Sequence, residues 1–92
     1  MDSQLDIKFH KAFEDISKLK EVLPPDTMLK LYAFYKQGIS GDSFKINAGP
    51  DVRDAFKFNA WMQLNGMSQE EAKKEYIKLA KSILKTTQNT TL

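Results

Sequence analysis

Leu5, Phe9, Ala12, Phe13, Ile16 and Leu19 recur at three- and four-residue intervals, which lines them up along one stripe of an α-helix. Two successive prolines, Pro24 and Pro25, cannot continue that helix, so the pattern predicts its end near Val22. Pro25 has the fixed φ that suits a first helical turn, and Asp26 complements the positive pole of a second helix running to about Gly38. From Gly38 to Asp51 three glycines, a proline, Ser40, Ser43 and Asn47 predict a loop. A third helix follows from Val52 to Asn65, carrying Phe58, Trp61 and Leu64, with Gly66 as its C-terminal cap. Ser68 followed by Glu71 has the spacing of a capping box, and it opens a fourth helix. Ala72, Tyr76, Ala80 and Ile83 form the stripe of this helix, broadened by Ile77, Leu79 and Leu84. Beyond Lys85 the chain turns polar and is expected to fray.

The long connection bears on topology. A loop of that length spans over ~40 Å, whereas a 12-residue helix is about 18 Å long. The third helix is therefore free to begin at the far end of the second and run parallel to it. The expected fold is all-α: one domain over residues 1–92, a four-helix bundle with a long connection between helices 2 and 3, an ordered core at about 5–85 and a polar tail at 86–92. A chain of 92 residues builds only a modest core. With no cysteine, neither a disulfide framework nor a thiolate metal site reinforces it, and a reducing compartment is the simpler setting. Fourteen basic residues against twelve acidic ones leave a net charge of +2, too balanced for a general nucleic-acid or membrane-surface binder. An anion site must then be a local cluster. Asp2 and the lack of a long apolar run argue against a signal peptide, and no stretch reaches the ~20 apolar residues of a membrane span. A soluble, cytoplasmic monomer is the expectation.

Catalytic chemistry has few candidates. His10 is the only histidine, and Glu70, Glu71 and Glu75 alternate with Lys73, Lys74 and Lys78 as a solvated helix face does. Metal-ligand spacings are lacking, and an enzyme is disfavoured. Binding has a better case. On the second helix Tyr32, Tyr35 and Lys36 fall within one arc of ~100°. Rings at this spacing are usually core, yet two hydroxyls and an ammonium would each need a partner in a buried site. A half-open groove leaves those polar tips for a ligand. On the third helix Arg53, Lys57 and Trp61 stand four apart, and Tyr76 adds an amphipathic ring on the fourth, a residue type more often core than contact. Rings beside lysines suit a ligand that carries a flat base and phosphates.

These residues resemble a known family. Tyr32-Ala33-Phe34-Tyr35-Lys36-Gln37, Gly41-Asp42, Lys57-Phe58-Asn59-Ala60-Trp61, Gly66-Met67-Ser68 and Glu75-Tyr76-Ile77 occur in the order and nearly the spacing of the acyl-CoA-binding proteins, from Phe9 to about Leu84. The resemblance implies an up-down-down-up bundle that binds long-chain fatty acyl-CoA without catalysis or a cofactor, as a cytosolic carrier and pool former. It implies ligand contacts in the segment Tyr32, Ala33, Phe34, Tyr35 and Lys36, at Lys57 and at Tyr76, with further positions at Ser17, Met28, Leu29 and Arg53. The two lysines would serve the coenzyme A phosphates, the tyrosines the adenine and pantetheine, and Met28 and Leu29 the acyl chain. Phe9, Phe13, Ile16 and Leu19 facing Tyr76, Ile77, Ala80 and Ile83 resemble the packed seam between first and last helices, and are read as core. Departures are Ser17 where the family often has lysine, Phe58 in place of tryptophan, and Ala48-Gly49-Pro50 in the long loop.

Other classes are separable by experiment. A nucleic-acid-binding bundle would explain Arg53, Lys57 and Lys36 beside rings, but its binding would fall steeply with salt and ignore acyl length. A protein-interaction module would hold a partner helix and not respond to acyl-CoA. A hydrolase or isomerase lacks a visible nucleophile.

Overall fold

The computed structural model describes residues 3–20, 22–42 and 52–89, with the side chains of 52–54 and 87–89 outside that description. Among these residues lie four helices: α1 (Ser3–Ser17), α2 (Pro25–Ser40), α3 (Val52–Met62) and α4 (Gln69–Asn89). Their number and order are those expected. Their ends differ where local hydrogen bonds outweigh the apolar pattern.

The first helix stops at Ser17 rather than near Val22. The Ser17 hydroxyl donates to the Phe13 carbonyl at 2.8 Å, and the Leu19 N–H reaches only three residues back, to Ile16 at 3.1 Å. The last turn thus tightens and closes before the prolines are reached. Pro24, at φ −56° and ψ 145°, then directs the chain into α2, with Pro25 in the first turn as expected. At its other end α2 continues past Gly38 to Ser40. Gly38 is an interior residue whose lack of a side chain is used for close approach: a Cβ there would lie 3.1 Å from Lys73 Cγ and 3.2 Å from Phe9 Cζ. The terminating glycine is Gly41, at φ 59°, whose N–H caps the Gln37 carbonyl at 2.9 Å. The long loop, including Ala48-Gly49-Pro50, lies mostly outside the described residues.

The third helix ends at Met62, three residues before Asn65, because Leu64 and Asn65 bond to the carbonyls of Trp61 and Met62 in a tight turn. Gly66 follows at φ 95°. Ser68 Oγ accepts the Glu71 N–H at 3.0 Å, the expected N-terminal cap of α4. Helix α4 runs beyond Lys85 to Asn89, and the Thr86 hydroxyl donates to the Ser82 carbonyl at 2.9 Å.

Side-chain pairings establish the directions. Asp6 meets Lys73 and Phe9 meets Tyr76, so α1 and α4 rise together. Gly38 lies by Lys73 and Tyr35 by Tyr76, so α2 descends along α4. Lys57 lies over Tyr32 and Trp61 under Lys36, which makes α2 and α3 parallel. The topology is therefore up-down-down-up. Among the described residues, α4 and α2 form the central pair, α1 lies against α4, and α3 leans on α2 alone.

The core is built from Phe9, Ala12, Leu31, Tyr76 and Ala80, with Ile16, Leu23, Ile77 and Ile83 packed around it. Ala72 and Ala80, both wholly buried, let the helices of the central pair and α1 approach. Of the expected core residues Ile16, Leu19, Ile77 and Ile83 are half-buried, and Phe13 is exposed, at 39%.

Candidate functional site

Helix α2 serves two neighbours, and the arc of Tyr32, Tyr35 and Lys36 divides between them. Towards α3, the Lys57 ammonium lies 5.4 Å from the centroid of the Tyr32 ring, and the Lys36 ammonium 5.0 Å from that of Trp61. Each helix thus sends one lysine across to a ring of the other, one turn apart, as the parallel register dictates. Among the described residues neither lysine forms a salt bridge. Arg53 stands one turn before Lys57 on the same helix, with its side chain outside the described residues.

Towards α1, Tyr35 is stacked against Phe13 at 4.7 Å and Phe9 at 5.7 Å, each with an interplanar angle of 23°. Tyr76 meets Phe9 edge-on at 5.2 Å and Tyr35 at 6.1 Å, and is 2% exposed. Burial, with a smaller part from the adjacent Tyr35, pushes its hydroxyl up to about 12. Tyr76 therefore shapes this site from behind Tyr35, not from its open face. The Ser17 hydroxyl is turned back onto the Phe13 carbonyl one helical turn away.

The remaining expected positions separate. Ala33, Phe34 and Leu29 face a groove of about 930 Å³ shared by α2, α3 and α4, with Phe56, Ala60 and Leu79 on its other walls. Met28 faces a smaller apolar notch of about 400 Å³ between the ends of α1 and α2, beside Ile16, Leu19 and Leu31. Met28 and Leu29, adjacent in sequence, thus serve different hollows. This follows from the ~100° between consecutive helical residues.

The residue that sequence reasoning missed is Gln37, which is wholly buried. Its Oε1 accepts the Trp61 indole N–H at 2.9 Å, and its Nε2 donates to Asp42 Oδ1 at 2.8 Å and to the Met67 carbonyl at 2.7 Å. Asp42 also accepts the Gly66 N–H at 3.1 Å, and these two hydrogen bonds hold its carboxyl below the usual range. The indole N–H lies 3.2 Å from the Gly41 carbonyl as well. One amide thus ties the end of α2 to α3 and to the turn before α4, and it fixes the ring beneath Lys36. A signal was present in sequence: Gln37 stands one turn after Ala33 on a buried face, where a polar residue needs specific partners.

Comparison with known proteins agrees with this geometry. Residues 6–80 match the family described as Acyl CoA binding protein. An acyl-CoA-binding protein of Saccharomyces cerevisiae is 42% identical over 79 residues, covering 80% of this chain and 91% of the yeast protein. An acyl-CoA-binding protein homolog of Manduca sexta is 33% identical over 79 residues, covering 84% of this chain and 88% of the insect protein. The crystal structure of Oryza sativa acyl-CoA-binding protein 2 superposes with a TM-score of 0.87 at 29% identity, over 96% of this chain and 99% of the rice chain. On these grounds the chain belongs to the acyl-CoA-binding protein family.

Proposed function

We propose that this chain binds long-chain fatty acyl-CoA esters without covalent chemistry and acts as their soluble carrier, as a monomer and with no cofactor. The observation that carries the reading is the pair of lysines, Lys36 and Lys57, each resting on an aromatic ring across the α2–α3 seam and free of any carboxylate among the described residues. A lysine over a ring gains about 0.5–1 kcal/mol at an exposed site, whereas a charge-assisted hydrogen bond to a phosphate is worth about 1.5–3 kcal/mol. Phosphates of coenzyme A therefore draw both ammonium groups off their rings at a net gain. Tyr32 lies beneath Lys57, Tyr35 precedes Lys36 on the α1 side of α2, and Arg53 adds a cation to α3. The apolar hollows beside Met28 and Leu29, with Ala33 and Phe34 in the larger, supply surface for an acyl chain at ~0.8 kcal/mol per buried CH₂. Ser17 contributes at most a hydroxyl oxygen, and Tyr76 acts through the ring of Tyr35.

Calorimetric titration with palmitoyl-CoA, shorter acyl-CoA esters, free CoA and palmitate tests the reading. Palmitoyl-CoA is expected to bind most tightly, with affinity rising with acyl length. Lys36→Ala and Lys57→Ala should each weaken it about ten- to a hundredfold while helical circular dichroism is unchanged. Equal or absent binding of all four ligands would sink the proposal.

A further inference from the structure

Charge is divided unevenly along this chain. Residues 1–75 hold eleven basic residues against twelve acidic ones, whereas residues 76–92 hold three lysines and no acid. Those three continue a row on α4 that Lys74 begins: Lys74, Lys78, Lys81 and Lys85 follow at intervals of four, three and four. At ~100° per residue they fall within one arc of ~60° and extend over ~16 Å of the helix. The arc lies almost opposite the buried stripe of Ala72, Tyr76 and Ala80, and all four lysines are exposed. Lys74 stands 3.8 Å from Glu70, in an exposed pair of the kind that contributes little. Among the described residues Lys78, Lys81 and Lys85 form no salt bridge. The row also borders an apolar opening. Because α3 leans on α2 alone, the groove stays open between α3 and α4. Lys78 lines it from α4, and Phe56, 58% exposed, lines it from α3.

We propose that the outer face of α4 is a docking surface for an anionic lipid bilayer, met by the lysine row with the groove beside it. Shape and chemistry favour a bilayer over other polyanions. The row is a convex ridge one residue wide, and a plane touches a helix along such a line. Lysines are compact point charges without the fork that suits a partner of fixed geometry, and lipid head groups move laterally to meet them. The row carries no ring on which a nucleic-acid base could stack. Four basic residues on one amphipathic helix reach the number at which anionic lipid surfaces are recognised. The docking stands on charge alone; its use, passing an acyl chain between groove and bilayer, rests on the acyl-CoA reading above.

The test is co-sedimentation of the ligand-free protein with vesicles of phosphatidylcholine, alone or with about one third phosphatidylserine. The parent should bind the mixed vesicles, bind the neutral ones far less, and be released at about 0.5 M salt. Each lysine near an anionic surface strengthens partition about fivefold. The triple variant Lys74→Gln/Lys81→Gln/Lys85→Gln should therefore bind the mixed vesicles about a hundredfold more weakly. Its affinity for palmitoyl-CoA in solution should be unchanged, which also shows that it is folded. A second triple variant, Lys8→Gln/Lys11→Gln/Lys18→Gln, makes the same change in net charge on the exposed face of α1 and should lose much less. Three outcomes would overturn the docking surface: no binding of the parent to the mixed vesicles, an equal loss in both triple variants, or a row that binds a duplex oligonucleotide and not the vesicles. None of them touches the carrier function. Failure of the parent to bind palmitoyl-CoA would remove the use and leave the docking standing.

Discussion

The two sides of α2 are held by different forces. Along α1 and α4 the seam consists of rings and small apolar side chains, Phe9, Tyr76, Ala12, Leu31 and Ala80, closed at one end by the Lys73–Asp6 pair at 2.6 Å. Along α3 the seam is a buried amide bonded to an indole, with two lysines lying over two rings. The first arrangement gains by excluding water, and its polar groups are the buried Tyr76 hydroxyl and the Lys73–Asp6 pair. The second keeps two cations at its surface and joins a helix that leans on α2 alone among the described residues. Stability is thus concentrated on one side and recognition on the other, with Tyr35 at the border between them.

Cutting into the apolar side should have the largest effect on folding. Phe9 is 1% exposed and touches the rings of both Tyr35 and Tyr76. Phe9→Ala should cost about 3–5 kcal/mol, lowering the melting temperature by at least about 12 °C for a domain of this size. Urea denaturation followed by circular dichroism measures it. If stability and binding are divided as argued, the fraction that remains folded should keep most of its affinity for palmitoyl-CoA. An affinity that falls in step with stability would show that the two sides are not separable.

The same seam carries a pH dependence in the alkaline range. Tyr76 titrates at about 12 in the folded chain against 10.0 for a free side chain. The unfolded chain therefore loses this proton first, and stability falls as pH rises. The contribution is fully present below pH 10 and is lost as pH passes 12, at about 1.4 kcal/mol per pH unit, or about 2–3 kcal/mol across the window. Urea midpoints measured at about pH 9 and about pH 12 should show this drop in the parent protein, and a smaller one in Tyr76→Phe. A Tyr76→Phe variant that loses as much stability as the parent would assign the alkaline transition to another group.

How far the sequence discloses this division depends on the range of the interactions. Periodicity alone locates all four helices, because Leu5, Phe9 and Ala12, or Ala72, Tyr76 and Ala80, must share a face for any helix to bury them. The Ser68 cap is equally legible, since its partner Glu71 is three residues away. The end of α1 is not, because one serine hydroxyl and a tight last turn decide it. Gly38 reads as a terminator and proves to be a point of close approach, a property of Lys73 and Phe9 more than of its own neighbours. The arc of Tyr32, Tyr35 and Lys36 is read correctly as an angle on a helix, but which helix each residue faces depends on where α1 and α3 lie. Gln37 is the extreme case, with partners 5, 24 and 30 positions away. Such partners come together only once the fold is formed.

Gln37 also gives the sharpest test of the α3 side. Gln37→Leu conserves approximate shape but removes one acceptor and two donors. The Trp61 N–H is left with the Gly41 carbonyl at 3.2 Å, while the Met67 carbonyl and Asp42 each lose a hydrogen bond. Unpaired polar groups at a buried site cost about 1–3 kcal/mol, a smaller loss than that expected for Phe9→Ala. Its signature should differ in kind. The indole loses its main anchor, so Trp61 emission should shift to the red, and Lys36 loses the fixed ring beneath it, so palmitoyl-CoA affinity should fall together with stability. Phe9→Ala should lower stability with affinity retained, and Gln37→Leu should lower both. Unchanged Trp61 emission and unchanged affinity in Gln37→Leu would mean that the amide is a fastener of the fold alone, and that Lys36 finds the ligand without help from the ring on which it rests.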